Sequence, residues 1–342
     1  MARKLLCVAP ETLEWRTFSP EPLGPGQVRV RTQFAAAKHG TEMALYKGYG
    51  MARGVFDPDY QLFRPSPPDA ARYPVGVGNM VVGTIEEVGA EVTSLVPGDR
   101  VCTYSGFADV VVTTAERCWK MPPGMDWRSA VCLDPAEFAF GAVRDGHVRI
   151  GDAVAVSGLG AIGLMAVQLA RLAGAALVVG IDPLAERSAI AEGLGADLTL
   201  DPTAVDVGLE VKRATNRRGV DVVIEYSGSM HAMQAALRGV AYGGTVVAGA
   251  YPPPYGAGLD LGAEAHLNVP KIVFTRACSQ PDRDHPRWDE ARIFQVCWRW
   301  LCEGRLTGEP IVTPVVAFND LAEEYPQIAG HPDRYIKLGA RV

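Results

Sequence analysis

Three glycines in the middle of the chain have the spacing of a phosphate-binding turn. Gly158, Gly160 and Gly163 stand in AVAVSGLGAIGLMAVQLARLAGA, between an apolar run that predicts a strand and a run that predicts a helix. The first glycine would allow a tight turn, the second a close approach of the backbone to a pyrophosphate, and the third close packing of helix on strand. The first N–H groups of that helix, at Ala161 and Ile162, would favour the negative charge of the phosphates. The pattern therefore predicts a dinucleotide site.

A carboxylate closes the next predicted strand and bears on the choice of dinucleotide. Asp182 ends ALVVGID, about 20 residues beyond the glycines, where a carboxylate can accept hydrogen bonds from the ribose hydroxyls of adenosine. Its charge would repel a 2′-phosphate, so the sequence predicts NAD and disfavours NADP, although Arg187 nearby would soften that choice. The alternative is a glycine turn with an incidental aspartate. Residues in DVVIEYSG and TVVAGA are expected to line the same site: Ser227, Gly249 and Ala250.

A second group of residues with chemical potential precedes the glycine turn. Lys38, His39 and Thr41 lie in KHGTEM, and Asn79 and Met80 form the centre of GVGNMVVG. Asn79 and Met80 do not titrate near neutral pH and are poor ligands for a hard cation. His39 is the best general acid or base because its unperturbed pKa of about 6.5 lies near working pH, the alternative being a structural histidine that satisfies backbone groups. Lys38 could supply a positive charge to a carbonyl oxygen or be a solvated surface lysine.

Composition limits the classes of protein to consider. The chain has 342 residues, which favours two domains, and its 48% hydrophobic and 21% charged residues are typical of a soluble globular protein. A net charge of −6 argues against the basic face that nucleic-acid binding requires. No apolar run approaches the roughly 20 residues of a membrane span and no signal peptide is evident, so we expect a cytoplasmic protein. The seven cysteines lack C-x-x-C spacing and are expected to be free thiols: Cys7, Cys102, Cys118, Cys132, Cys278, Cys297 and Cys302.

The elements that would position these residues change in kind along the chain. Residues 1–124 contain short predicted strands and turns, with alternation around Val28 and Val30, and this pattern indicates a small β-barrel. From about residue 150, short apolar runs alternate with helical ones, which predicts βαβ units and a parallel sheet. WDEARIFQVCWRWLCEGRL predicts a later helix, and DRYIKLGARV predicts a final strand.

The most irregular stretch, residues 49–74, is crowded with proline, aromatic residues and arginines. It is expected to be either a surface loop or a lid or wall of a substrate site, since loops this long inside compact domains are more often functional than idle. Aromatic faces beside basic groups would suit a hydroxylated ring, such as a sugar, a cyclitol or a natural product. The residues expected to shape the substrate site are Tyr46, Tyr49, Arg53, Phe56 and Asn79.

Six motifs occur in order along the chain: VPGDRV, WKMPPGM, SGLGAIG, DVVIEYSG, GGTVVAGA and YIKLGARV. In this order and spacing the chain resembles, over nearly all its length, the medium-chain dehydrogenase/reductase superfamily. The resemblance implies an α/β protein with a GroES-like β-barrel catalytic domain in residues 1–124, completed by residues 276–342. It also implies a Rossmann NAD-binding domain with a doubly wound parallel sheet in residues 125–275, and assembly into a homodimer or homotetramer.

In zinc-dependent members of that superfamily, a Cys-Gly-Thr-Asp-like motif and a Gly-His-Glu motif supply metal ligands. Here His39 stands where the cysteine would be, and Asn79 and Met80 stand where the histidine and glutamate would be. Asp134, in LDPAEFAFGA, occupies the place of the acidic residue before proline. Because catalytic zinc needs three protein ligands, His39 and Asp134 are too few, and the four-cysteine structural lobe is also missing. The resemblance therefore implies a zinc-independent member, similar to the bacteriochlorophyllide dehydrogenase group.

The resemblance also implies roles for neighbouring residues. Thr41 corresponds to the hydroxyl residue that starts the proton relay in family members, and Glu42 corresponds to a structural acid that pairs with a basic residue. Asp134 would either orient His39 or cap the helix that begins beside it. Without a metal, side chains, backbone donors and the positive charge of the nicotinamide would have to remove the hydroxyl proton and stabilise the alkoxide.

These observations leave three classes of function open. The first is NAD-dependent interconversion of a secondary alcohol and a ketone without catalytic zinc. The second is zinc-free reduction of an activated C=C bond, as in quinone and enoyl reductases, and Asp182 counts against it because those relatives more often prefer NADP. The third is a non-catalytic NAD-binding protein. The expected partner is a small-molecule substrate, with no nucleic acid and no membrane.

Overall fold

A computed structural model describes the following residues of the chain: 1–66, 73–276 and 287–342. They form two compact units, unit 1 (Met1–Val131 and Val312–Val342) and unit 2 (Cys132–Ile311). The expected domain boundaries are 124/125 and 275/276, and the observed boundaries, 131/132 and 311/312, both lie further along the chain. Cys278 and part of the stretch 49–74 lie outside the described residues.

The strands and helices of the described residues are given in chain order. The strands are β1 (Ala2–Ala9), β2 (Thr12–Phe18), β3 (Gln27–Ala36), β4 (Val55–Asp57), β5 (Leu62–Arg64), β6 (Val75–Gly76), β7 (Met80–Val88), β8 (Arg100–Tyr104), β9 (Val110–Thr114), β10 (Cys118–Lys120), β11 (Ala153–Ser157), β12 (Leu177–Ile181), β13 (Leu198–Leu200), β14 (Val220–Glu225), β15 (Val240–Ala248), β16 (Lys271–Phe274), β17 (Val315–Ala317) and β18 (Gly339–Arg341). The α-helices are α1 (His39–Tyr46), α2 (Trp127–Ala130), α3 (Leu133–Asp145), α4 (Ala161–Leu172), α5 (Ala185–Gly193), α6 (Val207–Ala214), α7 (Met230–Gly239), α8 (Glu264–Asn268), α9 (Glu290–Cys302) and α10 (Leu321–Glu324). Short 3₁₀ helices cover Tyr49–Arg53, Ala115–Arg117, Phe318–Asp320 and Tyr325–Ala329.

Unit 1 is built on a sheet with the strand order β10-β8-β7-β3-β18-β17, in which β9 also pairs with β3. The alternation of β3 buries Val28 and Val30 completely, whereas Arg31 is exposed. A second sheet has the order β2-β1-β6, and β4 pairs with β5 as a separate hairpin. The barrel-type domain expected from the short alternating strands is therefore confirmed. The end of β3 lies beside the start of β7, because Ala36 pairs with Met80, and α1 begins soon after β3.

Unit 2 contains a sheet of six parallel strands in the order β13-β12-β11-β14-β15-β16. Its central strands are nearly continuous buried runs, the pattern expected of a parallel sheet that is covered on both faces. The order reverses at β11, which lies between β12 and β14, and ligands of such sheets bind beyond the carboxyl ends of the strands at this point. The Rossmann-type sheet predicted from the strand–helix alternation is confirmed.

Three elements differ from the expectations. Helix α9 was placed in the segment that completes the barrel, but it belongs to unit 2 and buries Ile293, Cys297 and Leu301. The final strand is only β18, because the chain before it runs through turns. The stretch 49–74 is not purely a loop, since it contains a 3₁₀ helix and the β4–β5 hairpin. Within the described parts of the chain, each helix is too short or too polar to cross a bilayer.

Candidate active site

The glycine turn of unit 2 has the geometry that a dinucleotide pyrophosphate requires. Gly158 has φ +86°, and a Cβ added there would lie 2.5 Å from the Ser227 nitrogen. A Cβ added at Gly163 would lie 1.9 Å from the Gly158 carbonyl oxygen, so this glycine allows α4 to pack against the turn. Gly160 is different, because a Cβ there would have no atom within 4 Å. The space in front of Gly160 is therefore open to a ligand.

The beginning of α4 adds hydrogen-bond donors to this open space. Gly160 is the N-cap residue and has no side chain to cap the helix, so the N–H groups of the first turn, at Ala161 and Ile162, are not used by a cap. Unpaired N–H groups at a helix N-terminus carry partial positive charge and bind phosphate well. The sequence-predicted residues of this turn thus lie together in a site that fits a dinucleotide.

Asp182 lies at the carboxyl end of β12 and is almost completely buried. Its Oδ2 accepts the Leu159 N–H at 2.8 Å, and its Oδ1 accepts the Leu184 N–H at 3.0 Å. Arg187 approaches the same carboxylate, with 3.5 Å between Nη1 and Oδ2. A carboxylate oxygen can accept two hydrogen bonds, so Oδ1, which accepts only the Leu184 N–H among the described residues, could accept a second one. Asp182 is therefore joined to the glycine turn, with Arg187 reducing its charge, and its contact with ribose hydroxyls stays a prediction.

A cavity of about 530 Å³ opens next to these groups, and its lining includes Ser157, Gly158, Asp182 and Ser227. Its volume lies in the range of small-molecule sites. The lining comes from β11, β12 and β14, from residues 202–211 and from α7. This is where a parallel sheet binds a nucleotide, so the cavity fits the adenosine half of the cofactor.

A buried glutamate, not identified from the sequence, organises the ends of β14 and β15. Glu225 Oε1 accepts the Ser227 N–H at 2.7 Å and the Gly228 N–H at 3.1 Å, and the Ser227 hydroxyl also donates to it. Burial raises the pKa of Glu225, and these hydrogen bonds oppose the shift. Ser227 therefore has its hydroxyl committed to the fold. The only available signal was a glutamate at the end of a buried strand.

Gly249 and Ala250 follow β15 beside this cluster. The Gly249 N–H donates to the Glu225 carbonyl at 3.0 Å, and a Cβ at Gly249 would meet the Tyr226 ring at 2.4 Å. Ala250 is half-buried and lies beside Gly228. A Cβ added at Gly228 would lie 3.4 Å from the Cβ of Ala250. The structure thus places both residues near Ser227, and their contact with a cofactor stays a prediction.

In unit 1, a buried carboxylate organises the start of α1. Glu42 Oε1 accepts the Lys38 N–H at 2.7 Å, and Oε2 accepts the Gly78 N–H at 3.0 Å. The Tyr325 hydroxyl donates to Oε2 at 2.7 Å. Burial raises the pKa of Glu42, whereas these hydrogen bonds and the charge of Lys337 lower it. Glu42 therefore has the structural function expected of it and joins three distant segments of unit 1.

His39, at the first position of α1, accepts a backbone hydrogen bond. Its Nε2 accepts the Leu338 N–H at 2.8 Å, so this nitrogen carries no proton, and the neutral ring is protonated at Nδ1. Such a contact is what a structural histidine makes. A proton transfer by His39 would have to use Nδ1, and its acid–base function stays a prediction.

The other residues of α1 differ in exposure. Lys38 is half-buried at the N-cap position, and Thr41 is exposed. The Thr41 hydroxyl has no hydrogen-bond partner among the residues that the structure describes, so it is available to a substrate.

Tyr46, near the end of α1, is 4% exposed. Its hydroxyl donates to the Glu11 carbonyl at 3.1 Å, and its ring packs edge-on against Tyr325. The expectation that Tyr46 shapes a substrate site is therefore wrong, because the barrel core uses both its ring and its hydroxyl.

Three substrate-shaping candidates lie in the stretch that follows α1. Tyr49 and Arg53 begin and end a 3₁₀ helix, and Tyr49 is partly exposed. Phe56 lies on β4, is 50% exposed, and contacts Phe63 on β5 edge-on with 5.4 Å between ring centroids. These side chains stay candidates for contact with a substrate.

The two residues at the metal-motif positions of the glycine loop behave differently. Met80 is completely buried at the start of β7. Asn79 is half-buried: its N–H donates to the Ala36 carbonyl at 2.9 Å, and its carbonyl accepts the Ser105 N–H at 3.0 Å. The side-chain Nδ2 of Asn79 is buried and has no acceptor among the described residues.

Asp134 belongs to unit 2, where it is buried in the first turn of α3. The N-cap residue of α3 is Cys132, so the expectation that Asp134 caps this helix is wrong.

Among the residues in 1–66, 73–276 and 287–342, no three or more His, Cys, Asp or Glu side chains are grouped closely enough to hold a metal ion.

Comparison with known proteins agrees with the fold. Residues 24–163 match the alcohol dehydrogenase GroES-like domain family, and residues 161–278 match the zinc-binding dehydrogenase family. The chain is 44% identical to D-guloside 3-dehydrogenase of Escherichia coli K12, over 98% of this chain and 99% of that protein. It is 28% identical to L-threonine 3-dehydrogenase of Pyrococcus abyssi, over 68% of this chain and 71% of that protein.

Among solved structures, 2R,3R-butanediol dehydrogenase of Bacillus subtilis has the same fold, with a TM-score of 0.79 and 21% identity, covering 100% of both chains. This likeness concerns the fold alone. The two family matches together cover residues 24–278, and the relative at 44% identity, which is named a dehydrogenase, is matched over 99% of its length. The chain belongs to the medium-chain dehydrogenase/reductase superfamily and is an oxidoreductase that interconverts a secondary alcohol and a ketone.

Proposed function

We propose that the protein oxidises a secondary hydroxyl of a glycoside to the ketone with NAD, and reduces the ketone in the reverse direction, without catalytic zinc. The observation that carries the substrate class is the 44% identity to a D-guloside 3-dehydrogenase over nearly the whole of both chains. The hydroxylated ring that the aromatic and basic stretch 49–74 suggested belongs to the same class of substrate.

The cofactor assignment rests on Asp182. NAD, when bound, accepts the hydride from the carbinol carbon. The chain positions it through the open space at Gly160, the free N–H groups of α4 and the carboxylate of Asp182. A carboxylate at this position accepts hydrogen bonds from ribose hydroxyls and repels a 2′-phosphate. These features favour NAD over NADP, and Arg187 lessens the preference.

The zinc-free chemistry is supported by the residues at the metal-motif positions. Asn79 offers a neutral amide, Met80 is in the core, and the Nε2 of His39 is bonded to the backbone. The exposed hydroxyl of Thr41 then takes the first position in the proton path from the substrate. A likeness to the bacteriochlorophyllide dehydrogenase group remains a narrower prediction.

The proposal is tested with protein purified without a histidine tag and first analysed for metal content. NADH formation is followed with methyl gulosides, other glycosides, free sugars and polyols, each with NAD and NADP, and enones are offered with NADH. We expect turnover of glycosides with NAD, no stoichiometric metal, and no effect of a chelator. One tightly held zinc per chain whose removal abolishes turnover, or turnover of enones only, would reject it.

The first prediction concerns cofactor choice. Asp182→Ser should raise KM for NAD roughly 10- to 100-fold relative to KM for NADP, because a hydrogen bond to a charged group contributes about 1.5–3 kcal/mol. The measurement is the ratio of the two KM values in the variant divided by the same ratio in the parent protein.

The ratio is the correct quantity because Asp182 also accepts the Leu159 and Leu184 N–H groups. Loss of those hydrogen bonds would weaken the binding of NAD and NADP equally, so this effect would cancel in the ratio of the two KM values. Asp260→Ser is a suitable control, since that aspartate also accepts a backbone N–H two residues further along, and neither Asp260 nor Gly262 lines the cavity. An unchanged ratio in Asp182→Ser would contradict the NAD assignment.

A further inference from the structure

We propose that the side-chain amide of Asn79 is a catalytic group that donates a hydrogen bond to the reacting oxygen of the substrate. This inference rests on the proposed function and extends it, since it names the group that stabilises negative charge at the position where zinc-dependent relatives carry a metal ligand.

The first observation is an unmatched donor. The backbone N–H and carbonyl of Asn79 are both hydrogen-bonded, at 2.9 Å and 3.0 Å. Its side-chain Nδ2 is buried and has no acceptor among the described residues. Eight buried side-chain N or O atoms of the described residues have no hydrogen-bond partner, and among them only Nδ2 of Asn79 belongs to the loop that the Glu42 carboxylate holds beside the start of α1. An acceptor supplied by a substrate would satisfy this one.

The second observation is how firmly this donor is held. Asn79 lies between Gly78, whose N–H is bonded to Glu42, and Met80, which is buried at the start of β7. The other oxygen of the Glu42 carboxylate binds the Lys38 N–H. A single buried carboxylate therefore fixes the loop that carries Asn79 relative to the segment that leads into α1, which carries Thr41. The loop that carries the amide and the segment that carries the hydroxyl are placed by the same part of the barrel, and donors positioned close to a reacting oxygen stabilise the charge that develops there.

Nδ2 itself is buried, but Asn79 as a residue is only half-buried. A rotation of the side chain would therefore bring Nδ2 to the exposed part of the residue, where a substrate oxygen can accept its hydrogen bond. The residue type also suits the task, since an amide donates a hydrogen bond at every pH at which the fold exists. A carboxylate in its place would repel an alkoxide.

The atoms and electrons of the oxidation balance without any proton transfer to or from Asn79. The hydroxyl proton of the substrate leaves toward Thr41, the C–H bond breaks with its electron pair passing as hydride to the oxidised nicotinamide, and the C–O bond becomes C=O. Asn79 gains and loses no atom. Its N–H···O hydrogen bond strengthens as negative charge grows on the oxygen, and in the reverse direction it polarises the ketone.

The test replaces Asn79 with leucine, which has a similar shape and no donor. We expect kcat to fall about 10²- to 10³-fold, as for loss of one oxyanion donor. The dissociation constant for dinucleotide, measured by calorimetry, should not change. The Tm should stay equal or rise, because an unpaired buried polar group has been removed. Asn79→Asp should lose more activity than Asn79→Leu at neutral pH and recover part of it as the pH falls and the carboxyl is protonated.

Thr32→Val is the matched control. The Thr32 hydroxyl is also buried without an acceptor among the described residues, but it lies within β3 away from the loop of Asn79. We expect its kcat to match that of the parent and its Tm to be equal or higher. An Asn79→Leu variant with kcat within twofold of the parent would overturn the inference, and so would a clear fall in its Tm. Parent protein that is inactive on glycosides would reject the proposed function, while the Tm comparison would still decide whether the amide is structural.

Discussion

Thr41→Val is expected to lower kcat at least about 100-fold, because general acid–base catalysis contributes about 10² to 10⁴ to a rate. The Thr41 hydroxyl is exposed on α1 and has no partner among the described residues, so its removal breaks no contact that the fold uses. Valine has nearly the same volume and cannot accept or pass on a proton. The measurement is steady-state oxidation of a glycoside with NAD, together with the Tm and the dissociation constant for dinucleotide, both of which should stay unchanged.

Two further variants show whether the hydroxyl itself is responsible. Thr41→Ser retains the hydroxyl and should recover most of kcat. Thr12→Val removes another exposed hydroxyl of unit 1, one that donates to the Pro10 carbonyl two residues earlier, and should behave like the parent. If Thr41→Val turns over normally, the proton leaves by another path, and Nδ1 of His39 and water become the candidates. A loss of activity accompanied by a lower Tm would instead point to a structural function for Thr41.

The dinucleotide-binding residues of unit 2 could be predicted from the sequence because their signals are local. Gly158, Gly160 and Gly163 lie within six positions of one another, and the flanking strand and helix have strong periodic patterns. Asp182 follows at the end of the next strand. The chain within this short span determines the turn, the helix start and the carboxylate, so no long-range contact had to be inferred.

The candidate residues of unit 1 could be predicted only in part, because long-range contacts decide what these residues do. His39 is bonded to Leu338, and Glu42 is bonded to Tyr325, across separations of 299 and 283 residues. No local pattern indicates such pairs. For the same reason Tyr46, which looked accessible beside an irregular stretch, is a core residue packed on Tyr325. The lone donor of Asn79 is likewise a property of its surroundings, not of its neighbours in the chain.

Gly163→Ala and Gly160→Ala are expected to fail in opposite ways, although both add one methyl group to the same turn. At Gly163 the new Cβ would lie 1.9 Å from the Gly158 carbonyl oxygen, which is backbone and cannot rotate away. Either α4 or the turn must move, and we expect a loss of about 3 kcal/mol in the free energy of unfolding, the upper end of the usual cost of overpacking. Urea denaturation measures this loss, and dinucleotide binding should weaken with it.

At Gly160 the added Cβ meets no atom within 4 Å, so the fold should tolerate alanine, with a gain of up to about 1 kcal/mol from the stiffer unfolded chain. The methyl group would nevertheless occupy the space through which a pyrophosphate approaches the N–H groups of α4. We therefore expect the dissociation constant for dinucleotide to rise at least about tenfold in a protein that is as stable as the parent. Unchanged binding in Gly160→Ala would mean that phosphates do not sit at this turn. Binding lost together with stability would mean that Gly160 serves packing, as Gly163 does. Packing is assigned to Gly163 and ligand approach to Gly160 only if Gly163→Ala lowers stability while Gly160→Ala lowers dinucleotide binding at unchanged stability.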